Sequence, residues 1–340
     1  MSNESANGQT SQQPTIIVQM PPQPGFFRSW FTRVLISLLM MSAVLNLALL
    51  SSHTSTPGKY YEEFVSGDIL STDSIAIISI SGTIMPPFTE RTLDMLELAG
   101  KDDEIKGVIL SIDSPGGFVA DSHQIYRQVK KLAAKKPIYV SMKRMAASGG
   151  VYVAMGVGEK GKLFAEPTTW TGSIGVIIPR YDVSALAERF GVKSDSLTTG
   201  PFKDSMNPLK PLSDADRELW GVIIKDSFDR FVSIVDECRP SLDEQTVRTK
   251  LATGQVFTAT QAKDFGLIDD IKFEDEVAEL MQADLKLSKV RVVKYMHQPT
   301  LADLFLGSVS ARQPDQVWQK VLDASVPRAM YYCSWLPALP

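Results

Sequence analysis

The chain has 340 residues, a formal net charge of −4, and 44% hydrophobic against 22% charged residues. That is ordinary globular composition, which excludes a disordered chain, and the acidic balance excludes a predominantly basic nucleic-acid binder. Two cysteines and three widely spaced histidines (His53, His123, His297) exclude a disulfide framework, a four-thiolate zinc site and a histidine-rich metal centre. Neither a cofactor nor a metal is expected.

Residues 1–25 are rich in Gln, Ser, Asn and Pro and carry one charge, Glu4. They bury too little apolar surface to offset their ordering entropy and read as a flexible tail. Residues 26–52 follow as a membrane anchor. No charged residue occurs between Arg33 and Lys59, the apolar run covers 34–50, and Phe26, Phe27, Trp30 and Phe31 suit an interfacial belt. A buried core helix and a signal-peptide core are the competing readings. The stretch is longer than a core helix needs, and Ser51-Ser52-His53-Thr54 is a poor cleavage site. Arg28 and Arg33 before the span place the N-terminus in the cytoplasm and the body outside it.

The body, residues 58–285, alternates strands and helices. A strand is expected over 74–85, then a helix over 89–100 that Thr89 can cap. A continuous apolar strand at 107–114 suits a sheet buried on both faces. A helix over 122–134, a strand over 137–143, a helix from Ser148 to Met155 and a short strand at 175–179 follow. The long helix Asp214–Cys238 spaces Leu219, Ile223, Phe228 and Phe231 for burial. This rhythm predicts an α/β fold with a mainly parallel sheet, ligands collecting at the strands' C-terminal ends. Residues 286–340 form an extension of undecided structure, with a strand at VRVVKYM, a helix over 314–322 and an apolar end. Cys238 and Cys333 would pair only if close.

Two glycine-rich segments sit at strand ends. Met145-Ala146-Ala147-Ser148-Gly149-Gly150 is built like a nucleophile elbow, with small neighbours for a tight turn. Read alone it also fits an N-cap serine with glycines for helix packing. Asp113-Ser114-Pro115-Gly116-Gly117 can aim backbone N–H groups into a cleft as an oxyanion hole, or be a plain turn. A serine nucleophile needs a base. His123 is the only histidine of the body and reads as a surface or capping residue. Lys203, among Gly200, Pro201 and Phe202, is the other candidate, or else a solvated loop lysine.

Taken together, SIDSPGG (111–117), MAASGGVYVA (145–154), TGSIGV (171–176), GPFKD (200–204) and GQVFTATQAKDFGLIDDI (254–271) resemble the SppA signal peptide peptidases. These are membrane-associated serine peptidases with a ClpP/crotonase-like spiral of βαβ units. The resemblance implies Ser148 as nucleophile, Lys203 as general base and Ser173 as the hydroxyl orienting that lysine. It implies oxyanion donors at Gly116 or Gly117, to which Gly149 is added as the residue after the nucleophile. It implies peptide substrates such as remnant signal peptides and, for a single-copy chain, a homo-oligomeric ring whose catalytic groups meet within or between subunits. Val151 stands where an aromatic commonly follows ASGG, and 156–168 is longer and more charged than usual, so specificity is expected to differ. An inactive membrane scaffold and a crotonase-type acyl-CoA enzyme are the alternatives on the same fold.

Overall fold

The computed structural model describes residues 26–53, 60–297 and 330–332. They belong to two units, Met1–Ser55 and Thr56–Pro340. In the first, α1 (Phe26–His53) is one continuous helix. Its side chains are described over 30–46 and all are exposed. That window is shorter than the about 20 apolar residues a bilayer crossing takes. Among the described residues no helix is long and apolar enough to cross a membrane. The tail 1–25, the helix expected over 314–322 and Cys333 lie outside the described residues.

The second unit contains β1 (Tyr60–Gly67), β2 (Ser74–Ser81), α2 (Phe88–Lys101), β3 (Ile105–Ser114), β4 (Gly116–Phe118), α3 (Val119–Ala133), β5 (Ile138–Ala147), α4 (Gly149–Ala154), β6 (Lys162–Ala165), β7 (Trp170–Gly172), α5 (Ser184–Arg189) and α6 (Asp214–Cys238). It continues with α7 (Glu244–Thr246), β8 (Val256–Thr258), α8 (Ala259–Asp264), β9 (Asp270–Ile271), α9 (Glu274–Asp284), β10 (Arg291–His297) and β11 (Met330–Tyr332). The main sheet runs β1-β10-β2-β3-β5-β6-β9, and β7 bridges β5 to β8. Every pairing from β10 to β9 along that path is parallel, whereas β1–β10 is antiparallel. The expected α/β class and parallel sheet are both present.

Side chains alternate across a strand, and here both faces are apolar. Ala76, Ile78, Ile80, Val108, Leu110 and Ile112 enter the larger core with α2, α3, α4 and the end of α6. Ile75, Ile77 and Ile109 point the other way, onto Val277 and Met281 of α9. The parallel order stacks the C-terminal ends of β3 and β5 side by side, which places SPGG next to ASGG.

The structure corrects four local expectations. The N-cap of α2 is Pro87, and Thr89 is a buried residue whose hydroxyl donates to Asp121 at 2.7 Å rather than capping. The segment 175–179 is no strand, making only an isolated bridge from Ile177 to Met330. VRVVKYM, assigned to an extension, is β10 and lies between β1 and β2 in the main sheet. The long helix has the expected bounds and opens with a reciprocal Ser213–Asp216 capping box. Its burial, however, is concentrated from Phe231 onward, and Ile223 is 40% exposed. The spacing was right for a helix face, but the first turns of α6 run past the core.

One ion pair fixes the end of α6. Arg239 is 9% exposed and donates to both carboxylate oxygens of Asp269 at 3.0 Å and to the Gly266 carbonyl. Asp269 also accepts from the Leu163 N–H at 2.7 Å, tying the helix end to β6. Asp269→Ala strands a nearly buried guanidinium and is expected to cost about 3 kcal/mol. Urea unfolding checks this; a loss no larger than that of an exposed pair would refute it.

Candidate active site

Ser148 is the single residue between the end of β5 and the start of α4. Its φ of 51° and ψ of −110° lie where side-chain-bearing residues are strained by about 1–3 kcal/mol. Two hydrogen bonds hold it there. Its N–H donates to the Gly172 carbonyl at 2.8 Å, and its carbonyl accepts from the Tyr152 N–H at 2.9 Å. Ser148 is 1% exposed, and its Oγ has no hydrogen-bond partner among the described residues. An N-cap serine would spend that oxygen on a helix N–H. This one does not, so the serine sits in a strained strand–helix turn and does not cap the helix with its side chain.

Ser173 has the same unusual φ, 51°. The parallel pairing of Ala147 with Gly172 sets the two following residues, Ser148 and Ser173, side by side. The Ser173 N–H donates to the Gln255 carbonyl at 2.6 Å, which anchors it to the strand of the GQVFTA segment.

Three predicted glycines converge on the elbow. A Cβ on Gly149 would lie 3.0 Å from the Gly117 nitrogen and 3.0 Å from the Gly116 Cα. A Cβ on Gly117 would lie 2.0 Å from the Ile84 carbonyl oxygen. Only glycine allows backbones to approach this closely. The donors are not equivalent. The Gly116 N–H donates to Ser114 Oγ at 3.1 Å, so it is engaged. Ile84 donates to the Gly116 carbonyl and accepts from the Phe118 N–H, both at 2.9 Å. Strand alternation therefore turns Gly117's own N–H and C=O away from Ile84 and toward Tyr331 of β11. Ser122, which sequence reasoning passed over, lies beside this cluster. Its buried Oγ has no partner among the described residues and would lie 2.6 Å from a Cβ on Gly149.

Among the described residues no hydrogen bond or ion pair joins Lys203 to Ser148. Lys203 is exposed on the turn 200–206. That turn is tied to α6 by Trp220 Nε1 donating to Ser205 Oγ at 3.0 Å. Asn207 Nδ2 donates to Ser194 Oγ at 2.6 Å and links it to the preceding loop.

His123 is half-buried, with Nδ1 2.7 Å from the Tyr152 hydroxyl. Burial first, then Arg230 and Arg127, hold its imidazole below the usual histidine range. Burial likewise raises the Tyr152 phenol. This polar floor was not legible because His123 and Tyr152 are 29 residues apart on different helices. Cys238 is a buried free thiol pushed up to about 11 by burial. Among the described residues no cluster of His, Cys, Asp or Glu could hold a metal ion.

The model of Peptidase family S49 matches residues 130–288, and that of Clp protease matches 66–171. A protein of Enterococcus faecium assigned as signal peptide peptidase SppA is 32% identical over 252 residues, 71% of this chain and 72% of that one. A Synechocystis protein assigned as a protease is 34% identical over 205 residues, covering 60% and 72%. Protease 4 of Salmonella typhi is 31% identical over 257 residues, 72% of this chain but 40% of its own length. Among solved structures, ClpP1 from Listeria monocytogenes gives a TM-score of 0.40 at 14% identity, covering 58% of this chain and 91% of that one. The family match and these relatives make the chain a serine peptidase, on an α/β fold of the Clp protease kind. Within that class the chain belongs to the S49 family of SppA signal peptide peptidases.

Proposed function

We propose that this chain is a membrane-anchored serine endopeptidase with a Ser148–Lys203 dyad, cleaving apolar peptide segments such as signal peptides left in the membrane. The observation that carries the reading is Ser148 itself, strained at the elbow, its Oγ unpartnered among the described residues, with the Gly117 and Gly149 backbone alongside. The free amine of Lys203 takes the Oγ proton as oxygen bonds to the peptide carbonyl carbon. The Gly117 and Gly149 N–H groups stabilise the oxyanion, each donor being worth about 10²–10³ in rate. The C–N bond then breaks, and the lysine's proton passes to the leaving amine. The same amine next takes a proton from a water as that oxygen bonds to the ester carbonyl carbon, and returns it to Ser148 Oγ as the acyl–oxygen bond breaks. In this reading the hydroxyl of Ser173, beside Ser148, orients the lysine.

The base reaches the nucleophile from a neighbouring copy in this reading. Lys203 is exposed, and the loops and helix around it expose Tyr181, Phe190, Leu197, Phe202 and Val222. Clustered apolar exposure of this kind marks an assembly face, as a closed homo-oligomeric ring requires. Mixing two inactive full-length variants, Ser148→Ala and Lys203→Ala, tests it. Dissociation and reassembly of a 1:1 mixture restores about a quarter of wild-type hydrolysis if the groups meet between subunits. No recovery in reassembled mixed oligomers refutes the shared site.

Only a free amine accepts a proton, so hydrolysis rises toward alkaline pH and falls on acidification. A rate profile flat down to pH 5 would rule out a lysine base. The anchor is α1, with Arg28 and Arg33 on the cytoplasmic side and the catalytic unit outside the cytoplasm. Full-length protein should stay with membranes in alkaline carbonate, and the chain lacking 26–52 should leave them.

A further inference from the structure

The turn that carries Lys203 lies in the long excursion between β7 and α6, residues 173–213. Of these residues only Ser173, Ile174, Ala187 and Ser205 are buried. No core therefore holds the turn in place, yet a general base acts only within hydrogen-bond reach of the proton it takes. The turn's own ties are local or exposed. The N–H groups of Lys203, Ser205 and Asn207 donate to the Gly200, Phe202 and Asp204 carbonyls at 3.2, 3.2 and 3.3 Å. The Asp204–Lys210 ion pair, at 3.2 Å, joins side chains that are 24% and 37% exposed. A pair this open contributes little.

Arg180 supplies a different kind of tie. Its side chain is only 13% exposed. Its Nη2 donates to the Asn207 carbonyl at 3.1 Å and to the Lys210 carbonyl, just beyond the turn. The Val183 N–H donates to the Pro208 carbonyl between them, at 2.9 Å. Residues 180–183 thus hold three of the four consecutive carbonyls from Asn207 to Lys210. A charged donor makes hydrogen bonds roughly twice as strong as a neutral one, and arginine keeps its charge at any pH the protein meets. Arg180 is itself anchored. It follows Ile177, which bridges to Met330, and Ser173, which stands beside Ser148. The guanidinium therefore ties the end of the lysine turn to the segment that leaves the nucleophile's neighbour.

We propose that Arg180 is the positioning residue of the catalytic lysine: its guanidinium clasps the Asn207 and Lys210 carbonyls and so fixes where the Lys203 amine is presented. The inference rests on the reading of Lys203 as the general base. Arg180 acts through the backbone of the turn, so its loss slows the chemical step and leaves peptide binding in place.

The test compares the full-length chain with Arg180→Met, Arg180→Lys and Lys210→Ala on a quenched fluorescent peptide of Leu and Ala. Arg180→Met keeps a long stem and removes every donor. Its kcat should fall about 100-fold, the cost of displacing a catalytic group by an ångström, with KM within about threefold. Hydrogen exchange at the Lys203, Ser205 and Asn207 amides should quicken at least about tenfold, while the amides of β3 and β5 keep wild-type rates. Arg180→Lys offers one point donor in place of the planar fork, so it should recover part of the loss and fall only about three- to tenfold. Lys210→Ala breaks only the exposed pair and should stay within about twofold of wild type. Unchanged exchange in the turn of Arg180→Met overturns the proposal, as does a kcat no lower than that of Lys210→Ala. If Arg180→Met does not fold, Arg180→Lys decides by the same two readouts, and wild-type values for both overturn it. Lys203→Ala separates the clasp from the reading beneath it. Full hydrolysis by Lys203→Ala refutes the lysine base whatever Arg180 does. An inactive Lys203→Ala beside a fully active Arg180→Met refutes the clasp alone.

Discussion

Ser148→Gly should abolish peptide hydrolysis and raise thermal stability in the same molecule. The activity loss is expected to be at least about 10⁴-fold, since Ser148 is the proposed nucleophile and its removal leaves only binding and oxyanion stabilisation. The stability gain comes from the backbone. At φ 51° and ψ −110° a Cβ is strained by about 1–3 kcal/mol, and glycine removes that strain. Glycine gives back about 0.5–1 kcal/mol through its freer unfolded chain, so the net is on the order of 1 kcal/mol. For a domain of this size that is roughly 2–4 °C in Tm. Ser148→Ala, which keeps the Cβ, should lose the same activity with Tm near wild type. Hydrolysis of a fluorogenic peptide and a thermal scan of the three proteins check both limbs. A glycine variant that melts below the alanine variant would show that the elbow holds no strain.

Gly117→Ala should be strongly damaging for a single added methyl. The added Cβ would meet the Ile84 carbonyl oxygen at 2.0 Å and its C and N atoms at 2.6 Å, all backbone. No side-chain rotation relieves that contact, so the Ile84–Gly117 bridge must separate, at a cost of about 3 kcal/mol or more. Moving Gly117 also re-aims a proposed oxyanion donor, which adds a rate loss of about 10²–10³ in whatever fraction stays folded. Gly221→Ala is the control. It lies in α6 with nothing within 4 Å of its Cβ position and should gain about 0.5–1 kcal/mol from helix propensity. Urea midpoints for the pair decide the matter. Equal effects at the two positions would mean that the close approach at Gly117 is easily relaxed.

The sheet strands and long helices were legible because their patterns are local. β2, β3, β5 and α6 carry β-branched runs or helical spacing that no neighbour contradicts. Ser148 was legible only as one of two readings. What separated elbow from N-cap was the sign of φ and the unspent Oγ, neither of which is encoded in ASGG alone. The pieces that were missed are tertiary. β7 and β8 are three-residue strands that exist through their pairing to β5 and to each other. VRVVKYM reads as a strand, but nothing local says that it slots between β1 and β2. The packing of Tyr331 on Tyr152 and Phe231 draws on α4, α6 and β11, elements too distant in sequence for any spacing rule to connect.

The place of β10 also sets the order in which the protein can be completed. Among the described residues β1 pairs only with β10, and β10 is hydrogen-bonded to β2 on its other side. While the ribosome is still extending the chain beyond α9, β1 has emerged but has nothing to join, and β2 presents a bare, apolar edge. Such an edge is a template for pairing with another nascent chain. Synthesis must proceed through residue 297 before β1 can be joined to β2 through β10, so completion of this end of the sheet is a late event of translation. A pause or premature stop between α9 and β10 would release a chain with nearly all of its strands made and its most adhesive edge uncovered.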